Sequence, residues 1–211
     1  MRRALDVAVA AVLLGATAPL LGIIAACNWL AIRRVFFTQT RVGRGLVPFS
    51  IVKFQTMIDG AQHGGTVTAR GDPRVTPLGR LLRATKLDEL PQLLNVLRGE
   101  MSLVGPRPLT PNEVAAIPAA LASRLYAVAP GMTGIASLAF IDEERVLADA
   151  ADPQAAYFEA VLPRKVALEL AYAGRRTWVT DLVIIILTPV VGFSEGLRRA
   201  ALRWLVPDAE R

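Results

Sequence analysis

The sequence predicts an α+β fold, mostly helical and monotopic in a membrane. Its parts are a re-entrant amino-terminal helix, a small polar domain with a short β element, and interfacial amphipathic helices. Three observations predict this. The 211 residues are 53% hydrophobic and only 20% charged, with a mean hydropathy of +0.42, too apolar for an ordinary soluble domain. The apolar residues concentrate at the two ends of the chain. Between Arg41 and Arg107 the long apolar runs give way to Gly, Pro, Asp and Arg. The length suits one domain with its core, divided as a membrane helix over 1–34 and a domain over 35–211 that includes a membrane-associated segment at 179–206.

From Ala4 to Ile32 only Asp6 is charged. As one straight helix this run would extend roughly 43 Å, more than a hydrocarbon core needs. Pro19, flanked by Gly15 and Gly22, should break or kink it, leaving halves of roughly 21 Å that are too short to cross. Arg2-Arg3 precede the run and Arg33-Arg34 follow it, so both ends read as cytoplasmic under the positive-inside rule. The favoured reading is a helix that dips into one leaflet and returns; an ordinary kinked transmembrane helix is the alternative. A secretory signal fits less well, because the run is too long and ends on arginines.

Next, Val47 to Met57 carries a strand-like stretch marked by Phe49, Ile51 and Phe54 and ends in Lys53-Phe54-Gln55-Thr56-Met57. Asp72-Pro73-Arg74 opens a turn, and Pro77 to Arg83 reads as a short helix bearing Arg80 and Arg83. Leu90, Leu93, Leu94 and Leu97 have helical spacing, with Gly99 as the C′ stop. Because Pro91 is tolerated only in a first turn, this helix should begin at or near Asp88. That places Asp88 and Glu89 at the positive end of a helix dipole, where an anion would also be stabilised. The plain alternative is an N-cap with a favourable first-turn charge.

Arg80, Arg83 and Lys86 stand before this acidic pair, and Arg107, stiffened by Pro106 and Pro108, follows the helix. Two carboxylates among such cations suit a diphosphate substrate with a metal ion, and suit a surface ion-pair network as well. Thr110-Pro111-Asn112-Glu113 is a capping box with Pro at N1, Asp152-Pro153 opens a helix, and Gly174 closes the stretch from Arg164 to Ala173. Pro130-Gly131-Met132-Thr133-Gly134 reads as a tight loop. Val179 to Phe193 repeats the membrane theme. From Gly196 to Val206, Leu197, Ala201, Trp204 and Leu205 fall on one arc opposite Arg199 and Arg203, the pattern of an interfacial helix or of a packed surface helix.

Other chemistry is narrowed by what is scarce. A single cysteine, Cys27, excludes a disulfide framework and a cysteine-based zinc site, and a single histidine, His63, speaks against a histidine-based triad. The net charge is +6 and the isoelectric point about 10.2. Nucleic-acid binding nevertheless fits badly, since aromatics are 6% and are not interleaved with arginine in the polar middle. Catalysis, if any, falls to carboxylates, Arg or Lys.

The run from Asp72 to Arg80, then Leu87-Asp88-Glu89-Leu90-Pro91-Gln92-Leu93, then Met101 to Pro108, resembles the bacterial sugar transferases, the monotopic phosphoglycosyl transferases. The likeness extends over essentially the whole chain, from Asp6 and Pro19 through Lys53-Phe54 and Pro130 to Gly134 to the segment from Trp178 to Thr188. It implies a re-entrant helix on the cytoplasmic face of the bacterial inner membrane and a small catalytic domain. The implied reaction moves a sugar 1-phosphate from a UDP-sugar onto undecaprenyl phosphate, releasing UMP. It would require Mg²⁺ and pass through a covalent phosphosugar-aspartate, as the first membrane step of glycoconjugate synthesis. By position, Asp88 would be the nucleophile and lie at the metal, and Glu89 its partner at the metal or in the second half-reaction. Arg83, Arg107 and Lys53 would bind phosphate, and Asp72, Arg74, Pro106 and Pro108 match further motif positions. Three departures stand out: Gln55 where Arg is frequent, Ile135-Ala136-Ser137 where a Trp and a Gln are usual, and Ala18-Pro19 in place of Ser-Pro. A catalytically idle membrane scaffold for partner glycosyltransferases is the alternative function. The sugar, the pathway, and whether the chain forms a homodimer or joins downstream glycosyltransferases stay open.

Overall fold

The computed structural model describes residues 2–58, 60–61, 71–188 and 194–207; His63 and the 189–193 part of the carboxy-terminal apolar segment lie outside them. The fold is mostly helical with two small sheets. Helix α1 (Arg2–Ile32) is followed by an antiparallel hairpin of β1 (Phe36–Val42) and β2 (Pro48–Phe54), paired from Phe36↔Phe54 to Val42↔Pro48. Then come α2 (Pro77–Ala84), a 3₁₀ segment (Leu87–Gln92) and α3 (Leu93–Arg98). β3 (Ser102–Val104) pairs in parallel with β4 (Gly131–Thr133) across α4 (Pro111–Ala115) and α5 (Ala119–Leu125). α6 (Ile135–Ala139), α7 (Glu143–Ala148), α8 (Pro153–Ala156), a π-helical turn (Tyr157–Val161), α9 (Leu162–Ala173), α10 (Trp178–Leu187) and α11 (Glu195–Leu205) complete it.

The membrane-type helix lies along the domain. Near its start, Arg3 donates to the carbonyls of Val96 and Leu97, and the Asp6 carboxylate accepts from Ser102 Oγ at 2.8 Å and from the Leu103 amide at 3.2 Å. Ala10 is buried with Ile51, Leu93, Val96 and Met101. In its second half, Ile24 packs into a cluster with Phe54 and Leu82, joined by Leu21, Ala25 and Leu87. The opposite face is open: Val12, Ile23 and Leu30 are each more than 60% exposed. Such a continuous apolar surface marks a contact with lipid or protein.

Several expectations need correction. Pro19 does not divide two helices; α1 is one helix with Pro19 inside it. The proline forfeits only the bond to the Gly15 carbonyl, and contacts on both sides of it hold the two halves to the domain. Asp88 is not an N-cap. Lys86 takes the left-handed conformation (φ 58°, ψ 14°), and Asp88, Glu89 and Pro91 lie in the 3₁₀ segment before α3. Gly99 does end α3, at φ 90°. Pro130 to Gly134 contains strand β4 rather than a bare loop. A Cβ on Gly131 would come 2.1 Å from the Gly105 amide nitrogen, so its glycine serves backbone packing. Finally, the arc expected on α11 is split: Ala201 and Leu205 are buried, while Trp204 is 57% exposed.

Candidate active site

The site is assembled from the end of β2, the end of α2, the 3₁₀ segment and the loop after β3. The left-handed turn at Lys86 redirects the chain out of α2 so that Asp88 and Glu89 fall against β2. Glu89 Oε1 accepts from Lys53 Nζ at 2.7 Å and from Arg107 Nη2 at 3.3 Å. Arg83 Nε donates to Thr56 Oγ1 at 2.9 Å, two residues beyond β2. Asp88 is only 7% exposed, and among the described residues its buried Oδ1 has no hydrogen-bond partner. The expected residues Lys53, Asp88, Glu89 and Arg107 therefore converge, with Arg83 beside them. Asp72 and Arg74 pair with each other at 2.6 Å and close their own turn, Asp72 Oδ1 accepting from the Arg74 amide at 2.9 Å.

The backbone around Arg107 is tightly held. Tyr126, fully buried, donates its hydroxyl hydrogen to the Arg107 carbonyl at 2.9 Å and accepts from the Leu109 amide at 3.0 Å. Arg41 Nη1 donates to the Pro108 carbonyl at 3.1 Å. Glu113 secures the next turn, accepting from the Thr110 amide and the Tyr157 hydroxyl, each at 2.6 Å, and pairing with Arg41. Thus Pro106 and Pro108 stiffen a loop that also has its own hydrogen-bonded frame. Of this frame the sequence displays only the capping box; the second duty of Glu113 and the roles of Arg41 and Tyr126 depend on long-range contacts.

The two adjacent carboxylates differ sharply. For Asp88, burial raises the carboxyl pKa and repulsion from Glu89 adds to it, against the pull of Lys53, Lys86 and Arg83. For Glu89, burial also acts upward, but Lys53 and Arg107 together outweigh it and hold the group well below the usual carboxylate range. Burial, with repulsion from Arg107, lowers the Lys53 amine despite the attraction of Glu89 and Asp88. Glu89 raises the Arg107 guanidinium. Glu89 is thus the counter-ion of Lys53 and Arg107, while the buried Asp88 Oδ1 has no hydrogen-bond partner among the described residues.

That oxygen also decides how a divalent cation would fit. Among the described residues no group of three or more His, Cys, Asp or Glu side chains gathers into a metal cage. Mg²⁺ usually binds through one or two carboxylates, water and substrate phosphates instead, and Asp88 fits that mode. Glu89 gives Lys53 and Arg107 the same oxygen, Oε1, so its Oε2 could join without breaking either contact. The sequence departures are placed as follows: Gln55 is buried, its Nε2 donating to the Met57 carbonyl at 2.7 Å, and Ile135 and Ala136 lie in the core.

The chain is similar to known proteins over most of its length. The chain matches the family described as bacterial sugar transferase over residues 1–195. It is 48% identical over 147 residues to a UDP-glucose:undecaprenyl-phosphate glucose-1-phosphate transferase of Caulobacter vibrioides, covering 65% of this chain and 53% of that protein. It is 39% identical over 199 residues to an undecaprenyl-phosphate glucose phosphotransferase of Komagataeibacter xylinus, covering 89% and 35%. With the exopolysaccharide production protein ExoY of Rhizobium meliloti it shares 32% identity over 213 residues, 92% of this chain and 87% of that protein. The chain therefore spans about half of the first relative and about a third of the second.

Proposed function

The chain belongs to the bacterial sugar transferase family, and from that premise we propose that it transfers a sugar 1-phosphate from a UDP-sugar to undecaprenyl phosphate, releasing UMP. The observation that carries the proposal is Asp88: a buried carboxylate with an unoccupied oxygen, beside a second carboxylate already neutralised by Lys53 and Arg107.

In the first half-reaction an Asp88 carboxylate oxygen attacks the sugar-bearing phosphorus. The bridging P–O bond breaks, its electron pair leaves with UMP, and an aspartyl phosphosugar remains. In the second, a phosphate oxygen of undecaprenyl phosphate attacks the same phosphorus and expels Asp88, giving the undecaprenyl diphosphate sugar. Arg107 and Arg83 orient phosphate oxygens, and Lys53 keeps Glu89 ionised. A bound Mg²⁺ would neutralise charge on the diphosphate, without which a weak carboxylate nucleophile could not approach.

Membrane placement is part of the proposal. Leu87, next to Asp88, joins the apolar cluster of Leu21, Ile24 and Ala25 from α1, which supports a nucleophile at headgroup depth. Asp6 and Asn28 of α1 both bond to the same domain, yet they are separated along the helix by roughly 33 Å, as much as a hydrocarbon core is thick. A spanning helix would drag that polar domain into the bilayer. This supports a monotopic placement on one face, taken as the cytoplasmic face of the inner membrane where the UDP-sugar is available.

The test is UMP release from a panel of UDP-sugars by detergent-purified protein with Mg²⁺ and undecaprenyl phosphate. Release with one sugar, abolished by Asp88→Asn, is expected. Silence across the panel from folded protein would favour a scaffold without catalysis.

A further inference from the structure

Helix α1 carries few polar side chains within its apolar run, and two of them, Asp6 and Asn28, turn toward the domain. Asn28 is the more deeply buried, at 1% exposure. Its Nδ2 donates to the Gln55 carbonyl at 2.9 Å and to the Val35 carbonyl at 3.3 Å. Those two residues lie just past the open end of the β1–β2 pair, and the Gln55 amide donates to the same Val35 carbonyl at 2.9 Å. Burying a lone amide in an apolar helix is unfavourable unless it is bonded, so Asn28 can sit well only where this strand end meets it.

The residues beside Gln55 are those that hold the site. Lys53, two residues before it, grips Glu89, and Thr56, the residue after it, accepts from Arg83. Phe54 and Leu87, neighbours in sequence of Lys53 and Asp88, pack with Ile24 and its neighbours on α1. Arg3 and Asp6 tie the start of the lipid-facing helix to the domain, and the Asn28 amide ties its far half to the end of the strand that positions the carboxylate pair.

We propose that Asn28 is a positioning residue for the lipid acceptor: it sets the height of α1, and so of the bilayer surface, relative to Asp88. The proposal rests on the transferase reading above. Its consequence is selective. The strand end keeps its β1 ladder and the Gln55–Val35 backbone bond without Asn28, and the donor is water-soluble, so the first half-reaction is indifferent to Asn28. The acceptor's phosphate is held at a depth dictated by the bilayer, so the second half-reaction depends on this register.

The experiment compares the full chain with Asn28→Leu, Asn28→Gln and Thr17→Val in nanodiscs. Thr17 donates only to the Leu13 carbonyl of its own helix, so its variant controls for loss of a polar group in α1. Two quantities are read: phosphosugar adduct formation with UMP release in the absence of acceptor, and KM and kcat for undecaprenyl phosphate. Asn28→Leu is expected to form adduct at the wild-type rate while its kcat/KM for the acceptor falls on the order of a hundredfold, mainly through KM, as for a reactant displaced by about an ångström. Asn28→Gln keeps a donor on a longer arm and should show a smaller rise in KM; Thr17→Val should match wild type. Equal loss of both half-reactions in the two Asn28 variants, or an unchanged acceptor KM in both, would overturn the proposal while leaving the transferase reading intact. A wild-type protein that forms no adduct and releases no UMP would overturn both.

Discussion

The ion pair between Lys53 and Glu89 gives the sharpest energetic expectation. Glu89→Gln removes the one carboxylate that both Lys53 and Arg107 use. The Lys53 and Glu89 side chains are 16% and 15% exposed, so this contact behaves as a buried pair, and losing one partner costs about 3–5 kcal/mol. Arg107 is 39% exposed at its side chain; water screens it, and its share is no more than about 1 kcal/mol. The expected loss is about 4 kcal/mol, which at roughly 2–4 °C per kcal/mol for a chain of this size lowers Tm by about 8–16 °C. Lys53→Met should cost less, because Glu89 keeps Arg107. The double variant should lose less than both singles together, by about 1–3 kcal/mol of coupling. Thermal scans at one fixed rate in one detergent measure all four proteins. A double variant that loses the full sum would refute the buried-pair reasoning.

Three further outcomes follow from the same structure. Because burial and Glu89 raise the Asp88 pKa, adduct formation should fall with decreasing pH at a higher pH than an ordinary carboxylate would give, and any activity retained by Glu89→Gln should show that limb moved downward. Tyr126→Phe strands the Leu109 amide and frees the Arg107 carbonyl, costing about 1–3 kcal/mol, with a raised KM for the UDP-sugar in steady-state assays. Burial pushes Glu169 to about 8, although its Oε1 accepts from the Ala136 amide. A folded-state pKa above the unfolded value means stability that is fully present in acid and lost as pH rises toward 8, on the order of 1.4 kcal/mol per unit; Glu169→Gln should flatten that slope in unfolding measurements.

Much of the site is legible in the sequence because its residues lie in short, stiff, locally determined segments. Thr110 does cap α4, with a full capping box to Glu113, and a short helix does begin at Pro77. Asp72 does form its turn, and Arg107 does reach Glu89. What escapes is long-range. The helix expected to start at Asp88 loses its first turn to a 3₁₀ segment because Lys86 adopts a left-handed conformation, which no periodicity announces. Strand β1 is overlooked since it directly follows the apolar run. Gly131 looks like loop punctuation, although it lets β4 approach Gly105. Asn28 passes as an uncharged residue in a membrane helix until its two carbonyl partners are seen, and Pro19 looks like a break until contacts on both sides hold α1 together.

The central claim is that Asp88 becomes covalently attached to a phosphosugar. Intact-mass measurement of the protein after incubation with a reactive UDP-sugar and Mg²⁺, without lipid acceptor, tests this most directly. The account predicts an added sugar phosphate that maps to the peptide bearing Asp88, disappears when undecaprenyl phosphate is supplied, and never forms on Asp88→Asn. UMP release with no adduct on the wild type, or an adduct that persists on Asp88→Asn, would contradict it.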